Sequence, residues 1–177
     1  MKKINIFFVI SIVSVIMMSC NKETYEAPKS NTVAMSGRWW VELYGDADKS
    51  GLIDPAQLFY AYADFGGYGF VTSNTAANDV DSMILDDIHE SWPFKVKLPV
   101  DVSGLTFKPA TIPNLHPDKI GETVTIINGK ILKGAARSKS GAVVDSIFIE
   151  FEFSDDAGSY YIYSGHRDTG QPEDQFE

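Results

Sequence analysis

Between residues 93 and 100, apolar and charged side chains alternate with a period of two. Phe94, Val96, Leu98 and Val100 fall on one side, Lys95 and Lys97 on the other. Successive side chains point to opposite faces in an extended strand, so this segment buries a face only as part of a sheet. Residues 142–153 follow the same rule, with Val143, Asp145, Ile147, Ile149, Phe151 and Phe153 opposite Val144, Ser146, Phe148, Glu150 and Glu152. Shorter strand signals occur at 38–44, 57–64, 69–73, 81–86, 105–108 and 159–164, separated by turns of Gly, Asp, Asn and Pro. Asn128-Gly129 lies between apolar runs at 123–127 and 130–135 and predicts a two-residue hairpin turn. No convincing amphipathic helix interrupts the series. The pattern predicts an all-β, antiparallel domain of about 8–10 strands, either a sandwich or an up-and-down barrel.

The first residues read as an address. Lys2 and Lys3 precede a mostly apolar run from Ile4 to Met18, too short for a membrane span but suited to a signal peptide. Ser19-Cys20 then resembles the lipobox of bacterial lipoproteins, in which the cysteine is acylated and becomes the first mature residue. Cys20 is the only cysteine, so it forms no internal disulfide. These features divide the chain into a lipoprotein signal peptide (1–19), a flexible polar tether from lipidated Cys20 (20–36) and one barrel domain (37–177). Asn21 is not the aspartate of the best-known inner-membrane retention rule. The expected location is therefore the outer membrane, on its periplasmic or cell-surface side, held by the Cys20 anchor.

Charge narrows the partners. Without Lys2 and Lys3 the chain has 24 acidic against 13 basic side chains, a net of −11. Such a balance excludes a backbone-reading nucleic-acid binder and a polybasic membrane-surface protein.

Several motifs invite a chemical reading. Asp46, Asp48, Ser50 and Asp54, with Gly51 at the sharp turn, match the opening of a calcium loop. The bidentate acid expected at the twelfth position is Gln57, and the flanks read as strands. The loop is accordingly weighed as a polar turn ahead of a Ca2+ site, and no other cofactor is expected. His89, His116 and His166 are isolated, without metal-ligand spacing. No nucleophile elbow occurs. The acidic pairs Asp86-Asp87 and Asp155-Asp156 stand at strand ends, where Asp commonly starts turns. In the terminal run from Ser164 to Gly170, Arg167 either closes the barrel end by pairing with a carboxylate such as Asp145 or Asp86, or clamps an anionic headgroup. Trp39 and Trp40 are adjacent, point to opposite faces, and leave one indole as a candidate for exposure.

Taken together, these segments resemble the lipid-binding putative hydrolase family of Gram-negative lipoproteins. The resemblance is carried by residues 37–44, the string from Thr72 to Asp79, Asp81-Ser82 with Asp86-Asp87, and residues 92–97. Residues 105–107, 124–126 with 128–131, 144–147 and 164–170 complete it. It implies a lipocalin-like, or calycin-like, barrel. No catalytic motif of the family is available to transfer.

The first functional expectation is a small apolar or amphipathic, lipid-like ligand lined by Phe94, Val96, Ile147, Ile149, Phe151 and Tyr160. Asn74, His166 and Arg167 would orient its polar end. The same apolar stripe is equally compatible with a packed core. A second expectation is an ester or lipid hydrolase with His166 as base and Asp86 or Asp168 as its partner. A third is a non-catalytic surface or glycan-adhesion lipoprotein using exposed aromatics. Oligomeric state is not legible.

Overall fold

The computed structural model describes residues 29–60, 69–88 and 92–174. Cys20 and His89 lie outside them. Ten strands follow one another: β1 (Gly37–Gly45), β2 (Leu58–Tyr60), β3 (Gly69–Asn74), β4 (Ser82–Asp86), β5 (Lys95–Asp101), β6 (Thr106–Phe107), β7 (Ala110–Pro113), β8 (Thr123–Arg137), β9 (Val143–Phe153) and β10 (Tyr160–Arg167). Every pairing is antiparallel, in the order β10-β9-β8-β6-β5-β4-β3-β1, and β10 returns to β1. The result is a closed barrel of eight strands, with β2 added to β1 and β7 added to β8. No α-helix occurs among the described residues; four single 3-10 turns sit between strands or after the last one.

Closure is made by the seam between β1 and β10, in register from Trp39–Arg167 to Gly45–Tyr161. The two backbones approach closely at Gly165, where an added Cβ would lie 1.8 Å from the Trp40 carbonyl oxygen. Only glycine fits there. Inside the wall, Phe94, Val96, Leu98 and Val100 are buried as their alternation requires. Phe151 meets Tyr163 at 4.9 Å and Phe94 at 5.5 Å between ring centroids, and Phe70 meets Tyr163 at 5.3 Å. These rings fill the barrel's centre, and each buried aromatic or large aliphatic side chain contributes about 1.5–3 kcal/mol.

Asn128-Gly129 does not form the expected hairpin. β8 runs unbroken through it, and both halves pair with β9, Asn128 facing Glu150 and Gly129 facing Ile149. The glycine serves packing instead, since a Cβ at Gly129 would come 2.9 Å from the Phe107 ring. A bulge between Ile126 and Asn128 shifts the alternation by one residue. Val124 and Ile126 before it, and Ile131 after it, therefore all face the core. The actual hairpin turn is at residues 138–142, closed by the Ser138 amide donating to the Ala142 carbonyl at 2.9 Å, with Gly141 at φ +89°. β7 had no sequence signal. It ends in Pro113 and sits off the main path, where a missing amide donor is tolerated.

Neither tryptophan is exposed. Trp39 points inward, and Trp40, on the outer face, is only 4% exposed, with the Arg38 guanidinium over its ring at 5.0 Å.

One end of the barrel is sealed by the chain ahead of β1. Met35 is buried in the core, and Asn31 hydrogen-bonds Asn78 through both its backbone amide and its side chain. The Trp39 indole donates to Thr72 Oγ1 at 2.8 Å, and Thr72 Oγ1 donates to the Met35 carbonyl at 2.6 Å.

Gly165→Ala should open the β1–β10 seam and cost at least about 3 kcal/mol in chemical denaturation. A variant as stable as the parent would show that closure does not depend on this contact.

Candidate functional site

The sealed end carries a half-exposed charge cluster built from three strands. Asp145 on β9 receives Lys133 Nζ at 2.9 Å and lies 3.4 Å from Arg167 Nε. The Lys133 ammonium also donates to the Ala34 carbonyl at 3.0 Å, and the Arg167 guanidinium lies over the Trp39 ring at 4.8 Å. Burial works against the Asp145 charge, but Lys133, the Gly134 amide and Arg167 outweigh it and hold the carboxyl below its usual range. Arg167 is thus engaged in closing the barrel, with Asp145, one of the two partners considered for it.

The groups proposed for a polar mouth do not converge. Asn74, at the end of β3, donates to its neighbour's carbonyl on Thr75. His166 is on the outer face of β10, paired with Trp40, and its Nδ1 lies 3.1 Å from the Arg167 carbonyl. Asp168 lies 3.7 Å from Arg38 Nε. Asp86 ion-pairs with Lys95 at 2.8 Å on β4, and the wall from β4 to β10 passes through β3 and β1. Three interstrand steps put about 14 Å between those strands, so His166 and Asp86 do not meet. The rest of the terminal run is tied down by Asp174, which accepts from Thr169 Oγ1 at 2.6 Å and from the Ser140 amide. Burial opposes the Asp174 charge, yet these donors bring its carboxyl down to about 2.

Phe94, Val96, Ile147, Ile149 and Phe151 are all fully or almost fully buried in one core cluster. The barrel interior they share is occupied by their own side chains.

An open cavity of about 280 Å³ lies at the other end, at the barrel mouth. Its walls come from Gly45 at the end of β1 with Asp46 and Ala47 after it, from Gln57 and Phe59, from Gly158 and Ser159 of the β9–β10 turn, and from Tyr160 and Tyr161 at the start of β10. Of the residues expected to line a ligand site, it includes only Tyr160. Phe59 is 59% exposed and tilts against Tyr161, with ring centroids 5.9 Å apart. Gly45 makes room for Phe59, because a Cβ there would come 2.8 Å from the ring. The Tyr161 hydroxyl donates to Asp156, and burial together with this carboxylate pushes it up to about 12. Across the mouth, Trp92 stacks on Phe153 at 5.2 Å, and Lys119 lies 5.1 Å from the Trp92 ring while bonding Asp155.

Sequence reasoning missed this site because its parts come from three separated elements. The one local hint was the apolar Phe59 next to a run of turn formers.

The calcium-like loop borders the same cavity. The Asp46 carboxylate turns inward and accepts from the Ser50 and Gly51 amides, each at 2.9 Å. Asp48 Oδ1 accepts from the Ser50 amide at 3.3 Å, and Asp54 caps the turn Pro55–Gln57 through the Ala56 amide. Among the described residues, no three His, Cys, Asp or Glu side chains are grouped to hold a metal ion. Within the loop, Asp46 and Asp48 accept from the loop's own amides. Behind it, Glu150 is buried beside the Asp46 carboxylate. Burial raises its carboxyl first, and the neighbouring Asp46 adds to the shift.

A family model described as lipid-binding putative hydrolase matches residues 24–172. A search of curated proteins returned no match.

The raised Glu150 carboxyl has a definite pH signature. The folded state binds the proton more tightly than the unfolded chain, so stability from this pair is present below the ordinary glutamate range. It fades as pH rises through the raised value. Glu150→Gln should therefore gain melting temperature over the parent at pH 8 and lose that part of the pH dependence. A variant less stable than the parent at pH 8 would contradict a raised Glu150 carboxyl.

Proposed function

Because the chain belongs to the lipid-binding putative hydrolase family, we propose that it is a membrane-tethered protein holding a lipid-like ligand at the barrel mouth. The observation that carries this reading is the exposed Phe59–Tyr161 aromatic wall around an open cavity, at the end of a barrel whose interior is filled. A volume of about 280 Å³ lies just under the usual range for small-molecule pockets. It suits the end of an acyl chain or a single ring better than a whole lipid. Ligand holding is preferred to ester hydrolysis because Asp86 is paired with Lys95 three strands from His166, and Asp168 faces Arg38.

The tether belongs to the same reading. Acylation of Cys20 would supply the anchor, since each buried CH₂ contributes about 0.8 kcal/mol. The described chain enters at the sealed end, where residues 31–35 lie against β3 and β8. The described chain therefore begins at the end away from the cavity, and we place the anchoring membrane as the outer membrane.

Two measurements test the proposal. A titration of the full chain with an alkyl glycoside should show saturable binding, weakened at least about fivefold by Phe59→Ala, the loss expected for one aromatic contact. Gly45→Ala, which displaces the Phe59 ring without removing it, should weaken binding in the same direction. Unchanged affinity in both variants would move the ligand elsewhere. Separately, Cys20→Ala should shift the protein from the membrane to the soluble fraction, and a variant that stays in the membrane would contradict the lipid anchor.

A further inference from the structure

The elements that form the mouth carry a lopsided charge. Lys119, from across the mouth, pairs with Asp155, but residues 45–59 and 150–161 themselves contain Asp46, Asp48, Asp54, Glu150, Glu152, Asp155 and Asp156 against a single cation, Lys49. That lysine lies with its ammonium 4.1 Å from the centroid of the Tyr160 ring, and Tyr160 lines the cavity. A positive charge over an aromatic face is attracted by the ring quadrupole, and aromatic sites with acidic surroundings are a recurrent means of holding quaternary ammonium groups. An anionic headgroup would meet the opposite field. It would approach Asp156, already bonded to the Tyr161 hydroxyl, and Asp46, whose carboxylate is buried beside Glu150.

Resting on the mouth as the ligand site, we propose that the cavity selects amphiphiles with a cationic, ammonium-type headgroup, and that Lys49 occupies the headgroup position on Tyr160 until such a ligand displaces it. The apolar tail lies against Phe59 and Tyr161, and the ammonium takes the outer face of Tyr160. Lys49 is free to move aside. It is exposed, it stands on a loop, and its backbone is left-handed at φ +56°.

Calorimetric titration of the full chain with three amphiphiles of equal alkyl chain tests the headgroup: an alkyltrimethylammonium, an alkyl glycoside and an alkyl carboxylate, each below its micelle concentration. The ammonium should bind about tenfold tighter than the carboxylate, with the glycoside between them. Lys49→Asn removes the resident charge and tolerates the left-handed backbone. It should tighten the ammonium ligand about threefold or more while leaving the glycoside unchanged. Lys49→Arg should restore the parent's behaviour. Preference for the carboxylate, or weakening by Lys49→Asn, would make Lys49 an anion anchor and overturn the proposal. Equal affinity for all three would also overturn it while leaving the mouth as the ligand site. Binding of none would overturn both.

Discussion

Everything in this fold hangs on the seam where β10 returns to β1. A sheet of eight strands with a free edge would leave a row of unpaired amides and carbonyls and a half-covered aromatic layer. Closure removes the edges and turns one face of every strand inward. The seam is possible because position 165 has no side chain to hold the two backbones apart. Once closed, the barrel must fill its inside. Phe70, Phe151 and Tyr163 from three strands, with Phe94 just ahead of β5, do so at ring-to-ring distances of 4.9–6.2 Å. A filled interior sends ligand binding to an end.

The two ends are built differently. At one, the segment before β1 folds across the opening and is fixed by the Trp39–Thr72–Met35 relay and by the Asp145, Lys133 and Arg167 cluster. The charges placed there pair with one another. At the other, the strand ends part around a cavity with an aromatic wall and an excess of carboxylates. Packing at one end and exposure at the other give the molecule a direction.

Much of this was legible in the residues. Strict alternation marked β5 and β9 and the inward face of each, because a period of two has no other physical source. The short β7 left no trace: Thr111 and Ile112 are β-branched, but four residues ending in a proline are too few to set a period. Asn128-Gly129 misled for a specific reason. The pair suits a tight turn, but Gly129 was needed to admit Phe107, a contact from another strand that no local rule sees. The expected ligand lining was the core itself. Periodicity says which side chains turn inward, not whether they meet in the middle. Arg167 with Asp145 was readable as a plug because closing charges need partners. The mouth was not, because Gly45, Phe59 and Tyr161 are brought together only by closure.

The central claim is that ligand meets the barrel at its mouth and not in its interior. Backbone amide chemical-shift mapping by NMR, with the full chain saturated by an alkyl glycoside, addresses it directly. The account predicts shifts concentrated at Ala47, Phe59, Gly158, Tyr160 and Tyr161, with the amides of Val96, Ile147 and Ile149 unmoved. Large shifts running through β5 and β9, with the mouth residues unchanged, would contradict it.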